Sequence, residues 1–226
     1  LAVLVDPDKH EVSDFLPLAQ KLSAYPIDYF LIGGSLLSKN LLDECLQTFK
    51  EACDIPLIIF PGGVMQINAK ADALLFLSLI SGRNAELLIG KQVESVPYIL
   101  QANIEPISTG YILVDGGSMT TAQYISNTIP VPANKPSIAA LTAKAGEMIG
   151  MKMIYLDAGS GAKNSVSKEM IGKVRAITDL PLMVGGGIRS AEAIQEKLDA
   201  GANLVVIGTA IENDLAFLEQ IKTIFQ

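Results

Sequence analysis

The chain has 226 residues and a mass of 24.0 kDa, a length typical of one large α/β domain. Half of the residues are hydrophobic, yet the longest apolar runs, such as residues 73–80, are far shorter than the ~18 residues that a membrane-spanning helix needs. The formal net charge is −7 and no basic stripe occurs, which excludes nucleic acid as a partner. Any bound anion must therefore be held by local groups rather than by the overall field.

The two cysteines indicate a reducing compartment. Cys45 and Cys53 lie eight positions apart in or just after one helix-like segment, which corresponds to about 12 Å. A disulfide requires Cα atoms within roughly 7 Å. We therefore expect free thiols and a cytoplasmic protein. The chain opens at Leu1 inside an apolar run, so we also expect the natural N-terminus to lie further upstream.

Apolar runs alternate with segments of helical periodicity along the whole chain. In chain order, strands are predicted for residues 1–5, 29–32, 57–60, 73–78, 107–114, 151–154, 182–184 and 204–207. Helices are predicted for residues 11–24, 39–52, 85–101, 137–149, 167–177, 191–200 and 214–224.

This alternation predicts a (β/α)8 TIM barrel. Continuous apolar strands are typical of parallel strands that are buried on both faces, and eight strand–helix units close naturally into a barrel. Only about a dozen residues separate Phe60 from Ala73, too few for a helix with its loops. The predicted barrel is therefore a modified one, with the third helix missing or replaced by a loop. We expect residues 1–226 to form a single domain.

The ends of the first three predicted strands carry polar or glycine-rich motifs. Asp6-Pro-Asp-Lys9 could hold Mg²⁺ through its carboxylates, although a polar turn that caps the first helix is the simpler interpretation of this motif alone. Ser35, which follows two glycines, could be a second metal ligand or the N-cap of the next helix. Pro61-Gly-Gly63 could line a pocket or turn a tight corner.

Glycine clusters follow the last three strands and predict a phosphate site. They are Gly159-Ser-Gly161, Gly185-Gly-Gly187 and Gly208-Thr209. Bare backbone N–H groups at strand ends allow an anion to approach closely. In barrel enzymes, phosphate sites recur in the loops after strands seven and eight.

Asp157 is the predicted general base. It is the one carboxylate that lies, in strand order, between the metal candidates and the phosphate glycines. The alternative is an aspartate that caps a helix or orders the Gly-Ser-Gly loop. Arg189 and Lys163 could help to neutralise a phosphate, and His10, the only histidine, is assigned no role.

Taken together, these motifs resemble the geranylgeranylglyceryl phosphate synthase family, which includes the bacterial heptaprenylglyceryl phosphate synthases. The matching segments run in family order from residue 6 to residue 212: DPDK, LIGGS, FPGGVMQINAKADALLFLSLISGRN, STGYILVDGGS, YLDAGSGA, VGGGIRS and VVIGTAIE. The GGGI motif occurs in many phosphate-binding barrels, whereas FPGG…ADALLFLSL and YLDAGSGA are much more specific.

The resemblance implies an activity and a set of site residues. The activity is Mg²⁺-dependent transfer of a prenyl group, most simply from geranylgeranyl diphosphate, to the free hydroxyl of sn-glycerol 1-phosphate, which yields an ether-lipid precursor. Asp6 and Ser35 match the metal ligands. The matches to the glycerol phosphate contacts are Tyr155, Leu156, Asp157, Ala158, Gly159, Ser160, Gly161, Gly186, Gly187, Gly208 and Thr209. The family forms dimers and larger assemblies, so we expect a homo-oligomer.

Two positions depart from the family pattern. Many members carry Glu where this chain has Asp157, which shortens the reach of the base by one methylene. Some bacterial members carry Lys where this chain has Leu4, which removes a phosphate contact and leaves more of the binding to backbone amides.

Other phosphate-binding barrels remain as alternatives. Enzymes of histidine, tryptophan or thiamine biosynthesis share the glycine clusters, and thiamine phosphate synthase is the nearest of them because it also handles a diphosphate with Mg²⁺. A phosphosugar-binding barrel without activity is a further alternative. A long apolar groove that leads away from the phosphate site would favour prenyl transfer over all of these.

Overall fold

The computed structural model describes residues 1–208, 210–211, 216–222 and 224–225. Eight parallel strands form a closed barrel in sequence order, and β8 pairs with β1. The strands are β1 (Ala2–Val5), β2 (Tyr29–Ile32), β3 (Leu57–Ile59), β4 (Ala73–Leu79), β5 (Glu105–Leu113), β6 (Met153–Asp157), β7 (Leu182–Gly185) and β8 (Leu204–Ile207). The predicted TIM barrel is confirmed.

Helices surround the barrel. Within the described residues they are α1 (Val12–Leu22), α2 (Leu42–Ala52), α3 (Lys91–Ala102), α4 (Thr121–Ser126), α5 (Pro136–Met148), α6 (Lys168–Arg175), α7 (Ala191–Asp199) and α8 (Ala216–Ile221). The short α4 was not predicted from the sequence. In this part of the chain, every helix is too short or too polar to cross a bilayer.

The connection from β3 to β4 contains no α-helix, as the sequence predicted. Its only regular structure is a 3₁₀ turn, Val64–Gln66. Gln66 fixes this connection, because its amide donates to the carbonyl of Gly34 at 3.0 Å and accepts from the amide of Gly62 at 3.1 Å. A Cβ atom at Gly62 would lie 2.3 Å from that same carbonyl oxygen, so only glycine allows this close approach. No α-helix of its own therefore follows β3, and β3 and β4 are contacted from outside by α2 and α3.

Alternation along the strands produces two apolar cores. Outward-facing strand residues pack against the buried stripes of the helices, such as Phe15, Ala19 and Leu22 of α1. Inward-facing residues form a second cluster inside the barrel, which includes Tyr111 and Tyr155.

The cysteines are both free thiols, as expected. Cys45 lies in the outer core on α2, where burial raises the pKa of its thiol to about 12. It is therefore an unreactive packing residue at neutral pH.

Candidate active site

A cavity of about 220 Å³ opens at the C-terminal ends of the barrel strands. Its wall contains nine of the residues predicted from the sequence: Asp6, Ser35, Tyr155, Asp157, Ser160, Gly161, Gly186, Gly187 and Gly208. The closed barrel brings the ends of β1, β2, β6, β7 and β8 together, which explains how residues 200 positions apart share one site. Their roles in binding and catalysis stay predictions.

Three of the predicted contacts do not line this cavity. The side chains of Leu156 and Ala158 pack into the outer core, because they alternate with the inward-facing Tyr155 and Asp157. The amide of Gly159 is already bonded to the carboxylate of Asp157. Thr209 lies outside the described residues.

Asp157 is buried at the end of β6, with both carboxylate oxygens bonded. The hydroxyl of Tyr111 donates to Oδ2 at 2.6 Å, and the amide of Gly159 donates to Oδ1 at 2.7 Å. Burial raises the pKa of Asp157, and these two hydrogen bonds partly oppose the rise. A carboxylate with a raised pKa is a stronger proton acceptor. The bond to Gly159 also shows that Asp157 orders the glycine loop.

The loops after β6 and β7 interlock through glycines with positive φ. Gly186 has φ +82°, and a Cβ atom there would lie 2.5 Å from the amide nitrogen of Gly159 and 2.7 Å from Oδ1 of Asp157. Gly187 has φ +68°, and a Cβ atom added there would lie 2.8 Å from the carbonyl of Asn164. These glycines are needed for loop packing as well as for any approach by an anion.

Arg189 links the same two loops. Its guanidinium donates to the carbonyl oxygens of Ala162 and Lys163 at 2.6 and 3.1 Å. The side chain also lines the cavity, so its positive charge lies at the site. Lys163 is exposed and does not line the cavity.

Asp6 and Ser35 lie together on the β1–β2 side of the cavity. A Cβ atom on Gly34, the residue before Ser35, would lie 3.3 Å from both carboxylate oxygens of Asp6. Asp8 does not line the cavity. Its carboxylate accepts hydrogen bonds from the hydroxyl of Ser38 at 2.8 Å and the amide of Lys39 at 3.0 Å, so it links the loop after β1 to the segment before α2.

This donor set fits Mg²⁺ better than a transition metal. Among the residues described, no three His, Cys, Asp or Glu side chains form a cluster that could hold a metal ion. Asp6 and Ser35 supply two hard oxygen atoms, and Mg²⁺ is commonly bound by one or two carboxylates together with phosphate oxygens and water. A structural zinc site would instead need four protein ligands.

Leu4, where the family resemblance implies Lys in some bacterial members, lines the cavity. It lines the wall beside Gly208, where an added Cβ atom would lie 3.3 Å from the Cβ of Leu4. The surface at this point is apolar in the present chain.

An apolar groove of about 170 Å³ adjoins the polar cavity. The two share the residues Gly34, Ser35, Phe60, Tyr111 and Ala122. The groove continues along residues of the β3–β4 connection, β4, α3 and α4: Pro61, Gly62, Gly63, Ile67, Leu74, Phe76, Leu77, Ser95 and Ile125. Leu74 and Phe76 belong to the outer core, so the groove lies between β4 and α3, next to the connection that lacks a helix.

Three aromatic rings stand where the cavity and the groove meet. The ring centroid of Tyr111 lies 6.1 Å from that of Phe60 and 5.4 Å from that of Tyr155. Neither Phe60 nor Tyr111 was among the site residues predicted from the sequence. Tyr111 pairs in register with Tyr155 and so lies two residues from Asp157 on the neighbouring strand, a proximity that only the strand pairing reveals.

Solved structures with the same architecture include two geranylgeranylglyceryl phosphate synthases. The enzyme from Thermoplasma acidophilum, in complex with sn-glycerol-1-phosphate, has a TM-score of 0.92 and 30% identity, and the match covers 99% of this chain and 90% of that one. The enzyme from Thermoplasma volcanium has a TM-score of 0.89 and 30% identity over 98% and 92% of the two chains. Thiamine phosphate pyrophosphorylase from Pyrococcus furiosus, with a TM-score of 0.62 and 13% identity over 99% and 93%, shares the fold alone.

Relatives in sequence carry the same name as these two enzymes. The geranylgeranylglyceryl phosphate synthase of Chitinophaga pinensis is 50% identical, with 97% of this chain and 87% of that protein covered. The protein of that name from Pyrococcus furiosus is 40% identical, with 93% and 84% covered. The family model described as the PcrB family matches residues 2–226. The chain is therefore a member of the PcrB family.

Proposed function

We propose that this protein transfers a prenyl group from a prenyl diphosphate, with geranylgeranyl diphosphate as the expected donor, to the terminal hydroxyl of sn-glycerol 1-phosphate. The observation that carries the proposal is the junction of the polar cavity and the apolar groove through the shared residues Phe60 and Tyr111. The polar cavity suits a small phosphorylated polyol, and the groove suits a hydrocarbon chain. The names of the relatives agree with this pair of substrates.

The glycine loops would bind the acceptor. In the proposal, the phosphate lies against the backbone around Ser160, Gly161, Gly187 and Gly208, since an acidic protein must bind anions through local N–H groups. Arg189 adds a positive charge at the same wall. This arrangement would place the free hydroxyl of the glycerol near Asp157.

The proposed reaction exchanges one carbon–oxygen bond for another. The bond between C1 of the prenyl chain and the diphosphate breaks, and its electron pair leaves with the diphosphate. The acceptor oxygen bonds to C1 while Asp157 takes the hydroxyl proton. The raised pKa of Asp157 supports this role, because it increases the driving force for accepting a proton.

Mg²⁺ is the proposed cofactor, with Asp6 and Ser35 as its protein ligands. When bound, it would neutralise the charge that develops on the leaving diphosphate. Ser35 and Gly34 border both the cavity and the groove, which supports a diphosphate site between them. The apolar groove walls would exclude water from the allylic carbon.

Product analysis tests the proposal. The protein is incubated with Mg²⁺, sn-glycerol 1-phosphate and a series of prenyl diphosphates. The ether lipid is then extracted and identified from its mass by mass spectrometry. Time-dependent, Mg²⁺-dependent formation of a prenylglyceryl phosphate is expected. Coupling of a thiazole phosphate to a pyrimidine diphosphate would favour the thiamine alternative instead, and phosphate binding without turnover would favour a binding protein.

We also propose a homo-oligomer in the cytoplasm. The solvent-facing side of α3 carries Val93, Val96 and Leu100, and that of α5 carries Leu141 and Met148, all between 44% and 77% exposed. Apolar stripes at helical spacing on outer helices are suited to a second copy of the chain. The free thiols of Cys45 and Cys53 support the cytoplasmic location.

A further inference from the structure

Tyr111 is placed by the barrel beside the predicted base. It faces inward on β5, in register with Tyr155, and Asp157 follows two residues later on the same face of β6. Its hydroxyl donates a hydrogen bond of 2.6 Å to Oδ2 of Asp157. The residue is only 8% exposed, so water competes little for this bond.

We infer that Tyr111 is a positioning residue: its hydroxyl holds the carboxylate of Asp157 in the orientation that receives the proton of the acceptor hydroxyl. This inference rests on the proposed function. The carboxylate is fixed from two sides, by Tyr111 at Oδ2 and by the amide of Gly159 at Oδ1. Two bonds to two different oxygens define the plane of the group, which one bond alone cannot do.

The hydroxyl and the ring of Tyr111 have separable roles. The ring packs against Phe60 and Tyr155 at centroid distances of 6.1 and 5.4 Å, and phenylalanine would keep both contacts. The hydroxyl is the part that contacts Asp157. Tyr111 lines both the polar cavity and the apolar groove, so the residue lies at the junction where the acceptor oxygen and the allylic carbon would meet.

The electrostatics keep Tyr111 in its donor form. Burial, together with the negative charge of Asp157, raises the pKa of Tyr111 well above its ordinary value, so the hydroxyl retains its proton. Donation in turn favours the charged form of Asp157, against the effect of burial. Among the residues that the structure describes, the other ionisable groups at this cavity are Tyr155, Asp6, Lys9 and Arg189, and Lys91 lines the adjoining groove.

The test compares Tyr111→Phe with the wild-type enzyme. We expect kcat for prenyl transfer to fall about ten- to hundredfold, the range that corresponds to losing a hydrogen bond to a charged group, while KM for the prenyl diphosphate changes less than twofold. The acid limb of the kcat/KM profile should move to higher pH by about one unit, because the charged form of Asp157 loses a donor. A role confined to packing would leave that limb in place.

A double-mutant cycle measures the coupling between Tyr111 and Asp157. In an Asp157→Asn background, the further change Tyr111→Phe should reduce kcat by less than twofold, since the residue acts through the carboxylate. Independent, multiplicative losses would overturn the inference, as would near wild-type turnover or an unmoved acid limb in Tyr111→Phe.

Tyr25→Phe is the matched control. It also removes a hydrogen bond between a tyrosine and a carboxylate, 2.7 Å to Glu219, but neither residue lines the cavity or the groove. Its kinetics should equal those of the wild type.

A substitute variant and the activity of the wild type separate the remaining outcomes. If Tyr111→Phe fails to fold, 3-fluorotyrosine at position 111 is used instead. Its hydroxyl is more acidic and donates a stronger hydrogen bond to Asp157, so the acid limb of the kcat/KM profile should move to lower pH. An unmoved limb would overturn the inference. Absence of prenyl transfer by the wild type would refute the proposed function and the inference with it. An active wild type with a normal Tyr111→Phe variant would refute the inference alone.

Discussion

The carboxylate of Asp157 has a structural role and a proposed catalytic role. It orders the Gly159 loop through Oδ1 and remains a candidate base with a raised pKa. The aspartate is one methylene shorter than a glutamate would be, and its second oxygen is reached by Tyr111. A structural role and a catalytic role are therefore compatible at this residue, and only kinetics separates them.

Asp157→Asn should lower kcat by about 10²–10⁴-fold with little change in the affinity for the prenyl donor, because general-base catalysis typically contributes that much. Asp157→Glu should keep substantial activity. In the wild type, kcat/KM should fall as the pH drops through an apparent pKa above the ordinary aspartate value of about 3.9, since burial raises the pKa of Asp157. Steady-state kinetics across pH provides the measurement; near wild-type turnover of the Asn variant would leave Asp157 only its loop-ordering role.

Asp6→Asn should abolish prenyl transfer while leaving the affinity for sn-glycerol 1-phosphate within a few-fold. The reason is that Asp6 lies against Gly34, which borders both the cavity and the apolar groove, where it would serve the diphosphate. Turnover and calorimetric binding are measured on the same preparation. Asp8→Asn is the companion variant: its carboxylate bonds Ser38 and Lys39 outside the cavity, so it should lose stability rather than metal dependence. Full activity of Asp6→Asn would remove the metal assignment.

At the scale of elements, the loops after β7 and β8 differ in why they contain glycine. Gly187 has a positive φ and is packed against Asn164, whereas Gly208 has an ordinary φ and faces Leu4. A side chain at Gly187 therefore strains the backbone, while one at Gly208 mainly occupies space in the cavity.

Gly208→Val should weaken binding of sn-glycerol 1-phosphate by about tenfold or more with a small change in Tm, because the side chain would block close approach of the anion. Gly187→Val should weaken binding and also lower Tm by several degrees, because it adds backbone strain and a clash with Asn164. Calorimetric titration and thermal melts of both variants give the comparison. Unchanged binding in Gly208→Val would place the phosphate elsewhere.

The groove between β4 and α3 should control donor binding independently of the acceptor. Ser95 on α3 is buried and lines the groove, so Ser95→Phe should fill part of its volume and raise KM for a long prenyl diphosphate about tenfold. Binding of sn-glycerol 1-phosphate should stay within twofold, since Ser95 does not line the polar cavity. A shorter prenyl diphosphate should lose less, and equal losses for all donors would argue against the groove as the chain site.

The sequence predicted the strands better than the surfaces between them. Buried strands such as Leu57–Ile59 are continuous apolar runs with glycine or proline at their ends, and that local pattern is enough to place them. The short spacing from Phe60 to Ala73 likewise predicted the absent helix. In contrast, α4 has six residues and little helical periodicity, so its position above the cavity could not be read from the sequence.

The sequence predicted which strand ends contribute to the site, but not which of their side chains face the cavity. The alternation of side chains decides that Asp157 faces the cavity and Leu156 does not, and this depends on exact strand phase. The bond between Tyr111 and Asp157 depends on the register of β5 against β6, a tertiary property that no local pattern encodes.

For the whole molecule, the exposed apolar residues are concentrated on one side. The outer faces of α3 and α5 carry Val93, Leu100, Leu141 and Met148, whereas α2 and α7 have no large apolar residue among the exposed ones. A monomer would leave this surface in water.

Leu141→Glu should shift the protein toward the monomer, because a charge on the apolar stripe of α5 cannot be buried without a partner. Light scattering after size-exclusion chromatography measures the mass. The control is Lys21→Glu on α1, which lies outside both stripes and should keep the wild-type mass. A monomeric wild type would contradict the proposed homo-oligomer, and an unchanged assembly in Leu141→Glu would place the interface elsewhere.

The missing third helix also bears on the order of events in a catalytic cycle. The groove leads away along β4 and α3, while the glycine-lined cavity opens at the ends of the strands, so in the proposed function neither substrate needs to pass through the site of the other. The proposed function therefore predicts random-order addition, with a ternary complex reached from either side. The ether product would then leave with its chain already on the outer wall of the barrel, from which it can slide away without the barrel opening.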